Sequence, residues 1–490
     1  MKRIFNALIN ALANAKQWAQ REPIKRGNTV SLNLSITILA STFFTTLLAT
    51  QTSLAAANVA TFDAPQLLSS NDLTGRAVAI ADMNNDTHKD IVFVSGGHFN
   101  GANFIYFNDG AGGFSDSNRL QFGNNEPFTG SEDVRVSDLN NDNYPEILVG
   151  NSLVKGKTLV GQDVESYLYK NVGGTSIDLV KTFKTTIDGV RSVLFADIDG
   201  DNDQDILMGT AAKPYSTTNT KTILFYENTG DFSFPVVDIT LPHLDTGRNQ
   251  TLVTVALATV DVNGVVGGTG RVKYLVAGNR GHWERLNKKG RVPTNSNYHP
   301  SAVFENTSSG AAAFSLKSSF GKVFQTTGIA LGDIDGDGYW DIATGHGGEP
   351  RSVGGMNYVY INSGSNTFND DYNKNIPIGT DAESSRPAAI ADMNNDNKND
   401  IVIGNQGDYK GPDQSYLYYY NTSTPSTPYT ALLATPISQD YSQLRNIALD
   451  DLNNDQQIDI VGAVSCSEVN PNIQKPCEGL FVMLQTKIVQ

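Results

Sequence analysis

The sequence predicts an all-β protein, a seven-bladed β-propeller of four-stranded antiparallel blades whose N-terminal strand closes the last blade. Three observations predict it. One phrase recurs at a period near 60 residues. Short runs rich in Val, Ile, Leu and Tyr, separated by turn residues, fill each period as about four strands. No helical spacing of apolar residues interrupts them.

The recurring phrase reads AVAIADMNNDTHKDIVFVSG, VRVSDLNNDNYPEILVGN, VLFADIDGDNDQDILMGT, IALGDIDGDGYWDIATGH, AAIADMNNDNKNDIVIGN and IALDDLNNDQQIDIVGAV. Its leading aspartates are Asp82, Asp138, Asp197, Asp333, Asp392 and Asp451, spaced 56, 59, 136, 59 and 59 apart. The doubled interval predicts one further copy, and ALATVDVNGVVGGTGRVKYLVAGN fills it. There Thr259 stands for the leading Asp, Asp261 and Asn263 follow, and a Gly-rich insertion delays the end of the phrase to Lys273. A later strand ending in Asn marks six units, at Asn108, Asn171, Asn228, Asn306, Asn362 and Asn421. Short antiparallel strands repeated this way build blades around an axis. The last unit ends soon after its third strand, so the segment Val59 to Leu68 is expected to supply the fourth and to hide both sheet edges.

Residues 1–57 differ from the rest. Lys2, Arg3, Lys16, Arg21, Lys25 and Arg26 stand against Glu22 alone, an apolar stretch runs from Val30 to Ala49, and Ser53-Leu54-Ala55-Ala56-Ala57 follows. That order is a secretory signal with cleavage near 55–57, leaving 58–490 as the propeller. The apolar stretch is diluted by Ser, Thr and Asn, a poor membrane span. The expectation is a monomer exported to the periplasm or outside the cell, with no stable membrane span. The chain's formal charge of −15 becomes about −20 without the leader, which argues against nucleic acid or anionic lipid as partner. Cys466 and Cys477 are the two cysteines, and in an oxidising compartment the pair is expected to form a loop-stapling disulfide.

Chemistry sits in the spacing of the phrase. With the leading Asp as position 1, oxygen side chains recur at 1, 3, 5 and 9. The sets are Asp82, Asn84, Asp86 and Asp90; Asp138, Asn140, Asp142 and Glu146; Asp197, Asp199, Asp201 and Asp205. Asp333, Asp335, Asp337 and Asp341 follow, then Asp392, Asn394, Asp396 and Asp400, then Asp451, Asn453, Asp455 and Asp459. Six or more hard oxygens in a tight loop suit Ca2+, with a backbone carbonyl near position 7 and water completing the shell. An EF-hand needs Glu at position 12 and flanking helices. Position 12 here is Phe93, Val149, Met208, Thr344, Ile403 or Gly462, between strands. Zinc is disfavoured because no His or Cys recurs at the same spacing.

These repeats resemble the FG-GAP or VCBS-type repeats of integrin α-subunit heads and many secreted bacterial proteins, from about Val59 to Gln490. The resemblance implies a propeller with structural calcium between the first and second strands of each blade, at about six sites. It departs from the pattern at position 6, where only Gly338 is a glycine, so Thr87 and Asn143 are expected to adopt a left-handed backbone.

The opposite face holds the other candidates. Arg76, Arg191, Arg386 and Arg445 each lie six residues before a leading Asp, where the innermost strand begins. They are read either as paired with local acids such as Asp188, Glu383 or the calcium cages, or as a basic ring for a ligand. Loops on that face add His98, Tyr215, His282, Trp283, Tyr298, His299, His346 and Tyr409. The favoured function is a recognition or adhesion module for a glycan or protein. Alternatives are a polysaccharide lyase, in which arginines neutralise a uronate and His or Tyr takes its proton, and a passive scaffold.

Overall fold

The computed structural model describes residues 59–68, 74–96, 102–123, 129–153, 164–185, 189–210, 223–237, 239, 241, 252–281, 300–308, 311–321, 326–347, 357–368, 375–379, 385–405, 416–420, 433–436, 442–466 and 479–489. Every regular element among them is a strand, and they form seven four-stranded antiparallel sheets. Blade 1 runs Gly75–Ala81, Asp90–Ser95, Asn103–Tyr106 and Arg119–Phe122, innermost strand first. Blades 2 to 6 repeat that order from innermost strands Thr129–Ser137, Val190–Ala196, Leu252–Asp261, Thr326–Gly332 and Ser385–Ala391. Blade 4, the copy expected in the doubled interval, is a complete four-stranded blade.

Blade 7 closes the ring as expected. Its inner three strands are Ser442–Asp450, Asp459–Cys466 and Leu480–Met483, and Gln66–Leu68 adds the fourth through Gln66–Val482, Leu67–Phe481 and Leu68–Leu480 pairs. A second clasp, absent from the sequence reading, pairs Val59–Phe62 with Gln485–Val489. The N-terminal segment thereby completes blade 7 and pairs with the last strand of the chain. Each innermost strand packs on the next, and the blade 7 strand packs on that of blade 1.

The second strands read as unbroken apolar runs because both their faces are buried. Ile91 and Phe93 enter a core shared with blade 7, while Val92 and Val94 enter one shared with blade 2. Seven apolar cores result among the described residues, one in each gap between neighbouring blades. The core between blades 7 and 1 contains Val78, Phe93, Leu452, Val461 and Leu480 together with Leu68 of the closing strand.

Cys466 ends a strand of blade 7, and Cys477 lies outside the described residues, as does the signal segment 1–57.

Because the cores lie between blades, removing residues 59–68 is expected to lower Tm for the whole propeller in calorimetry and to produce self-association in size-exclusion chromatography. The milder Leu68→Ala is expected to cost about 2–3 kcal/mol in denaturant titrations.

Candidate functional site

Each Asp-rich loop joins the innermost strand to the second strand and folds on its own side chains. Asp82 accepts hydrogen bonds from the backbone N–H of Asp86 and Thr87 at 3.1 and 2.7 Å. Asn84 Oδ1 accepts from Asp86 N–H, and Asp86 Oδ1 from His88 N–H. The same bonds recur in the loops led by Asp138, Asp392 and Asp451. Such side-chain-to-backbone turns bring the oxygens of positions 1, 3 and 5 to one side of a tight loop.

The backbone has to turn left-handed twice per loop. Position 6 does so at Thr87, Asn143, Asn202, Gly338, Asn397 and Gln456, as expected from the missing glycines. Position 4 does so too, at Asn85, Asn141, Gly200, Gly336, Asn395 and Asn454. The alternation of N-N-D with D-G-D loops is explained by this second requirement, since Asn and Gly tolerate positive φ best.

Position 9 ties the loop to the sheet. Asp90, Glu146, Asp205, Asp341, Asp400 and Asp459 are all buried, and one carboxylate oxygen of each accepts the N–H of the loop's second residue. In blades 1, 3, 5 and 7 the other oxygen accepts the N–H of the residue two past the end of the third strand: Asn108, Asn228, Asn362 or Gln485. Gln485 is the blade 7 counterpart of the recurring Asn, which the sequence pattern did not reveal. A carboxylate oxygen keeps a further lone pair after accepting one bond, so these acids retain acceptor capacity.

The recurring Asn bridges blades. Asn108, Asn171 and Asn306 donate through Nδ2 to the second-position carbonyls of the preceding loops, at Leu452, Met83 and Ile198. Those second residues plug the core between their own blade and the next. Each such loop is therefore held by its own blade and by its neighbour.

Carboxylates crowd most in blades 3 and 5. One oxygen each from Asp197, Asp199 and Asp205 lies within 4.8 Å of the others, and Asp333, Asp335 and Asp337 form a second such group. Asp203, at position 7, is an acid that the spacing rule passed over. Burial, then repulsion from Asp201, pushes it up to about 6, and its Oδ1 is buried without a hydrogen-bond partner. Burial likewise raises Asp197 and Asp335 above the usual carboxylate range, with neighbouring loop acids adding to the rise. Crowded hard oxygens with one orphaned buried oxygen fit a divalent cation such as Ca2+, which positions 1, 3, 5 and 9 of these loops would hold.

Blade 4 differs from the alignment drawn on sequence. Val260 pairs with Tyr274, as Ala81 pairs with Asp90, so Asp261, rather than Thr259, occupies position 1 and Tyr274, rather than Lys273, falls at position 9. Asp261 caps the loop by accepting from Asn263 and Val265 N–H. Tyr274 places its hydroxyl on Asn366 and its ring against Trp340. An aromatic ring replaces the buried acid here, so this loop lacks the ninth-position oxygen set.

At the opposite end of the innermost strands, every blade carries a β-bulge at one register position. The bulged residues are Arg76, Glu132, Arg191, Val255, Thr327, Arg386 and Arg445. The four arginines thus share one ring position, as their common offset suggested. The acid observed beside Arg76, Arg191 and Arg445 is Glu132, six residues before Asp138, overlooked because it breaks the run of one charge; Asp188 and Glu383 lie outside the described residues. Arg191 donates to Glu132 Oε1 at 2.8 Å, Ser152 donates to the same oxygen at 2.8 Å, and Arg76 lies 3.8 Å from Oε2. Burial alone would push the Glu132 carboxyl up, but Arg191, Arg76, Ser152 and Arg445 reverse this and hold it at about 2. His346 is fully buried in blade 5, its Nε2 2.8 Å from Thr344 Oγ1 and its ring against Tyr358. His98, Tyr215, His282, Trp283, Tyr298, His299 and Tyr409 lie outside the described residues.

A closed ring of four-stranded blades with acidic loops between the first two strands defines the class as β-propeller. Residues 82–149, from the first loop into the second strand of blade 2, match the model of the FG-GAP-like repeat. The match spans one repeat, and together with the seven blades it supports an FG-GAP β-propeller. Among curated proteins, none matches the chain in sequence. Solved structures with similar folds include two of BBS1N in complex with ARL6DN, one soaked with mercury and one with lead. They are 7% and 8% identical, each with a TM-score of 0.45, over 88% of this chain and 98% of theirs.

Two outcomes are expected. Burial and loop repulsion raise Asp90 and Asp459 to about 6 and Glu146, Asp205 and Asp341 to about 7, against the opposing backbone hydrogen bonds. A raised folded-state value favours the protonated fold, so the metal-free protein loses this stability as pH rises through 6 to 7. In chelator, Tm should therefore fall between pH 5 and pH 8; a rise would contradict the burial assignment. Thr87, with φ of 73°, is the β-branched residue among the left-handed loop positions. Thr87→Asn should stabilise the protein by about 1 kcal/mol in denaturant melts.

Proposed function

We propose that this chain is an exported, calcium-stabilised recognition module that holds a glycan or protein ligand on the face opposite the aspartate loops. The observation that carries the metal part is repetition in register. Six loops carry oxygen side chains at positions 1, 3, 5 and 9, each with its ninth-position acid buried on the N–H of its second residue, and three of them are also held by the recurring Asn of the next blade. Bound Ca2+ would neutralise the carboxylates that now raise one another's proton affinity. It would also fix the loops that bridge blades, so its stabilisation would spread around the ring.

The recognition part rests on the division between the two ends of the disc. One end is committed to uniform loops, while the other carries unequal connections and the ring of unlike bulge residues. Propellers use such variable ends for many purposes, so the ligand follows from the site rather than the fold. The basic, then apolar, then small-residue order of residues 1–57 supports export, and export supplies a compartment in which calcium is abundant.

Calorimetry with and without excess chelator tests the metal. A cation held only by the folded state stabilises it by about 2.7 kcal/mol per site at a hundred times Kd. Calcium should raise Tm and bind at about six sites per chain in titration calorimetry; superimposable melts would sink this reading. Ligand recognition is tested on a glycan array and on cell surfaces, where binding by the intact chain should be lost in Trp283→Ala.

A further inference from the structure

One register position of the third strands is apolar in every blade but one. The residue opposite the second residue beyond the ninth loop position is Ile105, Leu168, Phe225, Val303, Val359 or Val482 in blades 1 to 5 and 7. In blade 6 it is Tyr419, opposite Val402. Its ring is buried in the core between blades 6 and 7, and its hydroxyl donates to Asp400 Oδ2 at 3.0 Å. The same oxygen accepts the N–H of Met393, the second residue of that loop, at 3.2 Å. A buried hydroxyl needs such a partner, so the tyrosine is tied to the ninth-position acid.

The clasp of Val59–Phe62 on Gln485–Val489 meets this tyrosine. Ala60 is fully buried in the same core as Tyr419 and Met393, and Phe62 packs against that core. The Ala60 N–H bonds the Tyr419 hydroxyl oxygen, so one hydroxyl joins the first clasp strand to Asp400. The second clasp strand is tied to the loop of blade 7. Gln485, its first residue, donates its N–H to Asp459 Oδ1 at 2.7 Å, and its side-chain amide donates to Gln457 Oε1. The two loops are themselves joined, since Asn395 Nδ2 donates to Gln456 O at 3.1 Å. Phe62 pairs with Gln485, which closes the circuit.

We propose that the clasp is a latch whose closure is coupled to cation occupancy of the aspartate loops in blades 6 and 7, with Tyr419 as the positioning residue. The proposal rests on the calcium reading above and names what those two sites regulate. A two-stranded ribbon outside the blades opens more readily than the cores beneath it. Opening separates Ala60 from the Tyr419 hydroxyl and takes the Gln485 N–H from Asp459, so both carboxylates lose part of their support. A cation that needs those carboxylates in place therefore opposes opening, and a closed clasp raises cation affinity by the same factor. Calcium then acts at the seam of the ring as well as within single blades.

Hydrogen exchange of the full chain, read by mass spectrometry at one pH and ionic strength, tests the coupling. Calcium in place of chelator should slow exchange in the clasp strands about tenfold. Asp400→Asn should remove that effect, while Asp205→Asn, which alters the loop of blade 3, should preserve it. Tyr419→Phe keeps the ring and should reduce the effect at the clasp, which a purely packing role would leave untouched. Deleting residues 59–62 is the reciprocal readout and serves if Asp400→Asn fails to fold. It should weaken the blade 6 and blade 7 sites about tenfold in titration calorimetry. An unchanged calcium effect in Tyr419→Phe, or an equal one in Asp400→Asn and Asp205→Asn, overturns the proposal, because it marks global stabilisation. Calcium binding that raises Tm without slowing clasp exchange overturns it too and leaves the calcium reading standing. Absence of any calcium binding removes both.

Discussion

No blade of this protein owns a hydrophobic core. The apolar side chains of each second strand divide between the gap before and the gap after it, so every core is built by two blades. A chain with that arrangement gains its burial only when the ring is complete. Gln66–Leu68 in blade 7 and the clasp of Val59–Phe62 on Gln485–Val489 are therefore conditions of the fold rather than trimmings. Parts far apart in the chain are stabilised by one closure.

The aspartate loops are integrated into that same constraint. Their second residues plug the gaps between blades, their ninth residues anchor the turn to the sheet, and in three of them the recurring Asn of the next blade grips the loop from the side. Electrostatics then opposes packing. The fold draws carboxylates into a partly buried cluster, and burial, then their mutual repulsion, raises proton affinity at Asp203, Asp205 and Asp341. The cation proposed for these loops would relieve that conflict and so connect metal chemistry to blade packing. At the far end the conflict has the opposite sign, with arginines from several blades gathered around Glu132.

Blade 4 shows how a repeat diverges without losing its architecture. Its insertion is absorbed between the first two strands, Asp261 still caps the turn, and Tyr274 fills the volume of the absent acid by packing on Trp340. Four strands and two interblade cores remain. The loop chemistry is dispensable for the blade; the apolar pattern is not.

Blade number, strand direction and the oxygen positions were legible in the amino-acid order, because each is set by local spacing that recurs around the ring. The left-handed turn at position 6 was legible for the same reason. What the order of residues left open were relations between distant segments. The true first position of blade 4 depends on strand register across an insertion, and Tyr274 cannot be placed without it. Glu132 shares the offset of the arginines, yet only the convergence of neighbouring blades makes it their partner. Short-range patterns follow from backbone geometry within one unit; the meeting of Arg76, Glu132 and Arg191 follows from ring closure, a property of the assembled chain.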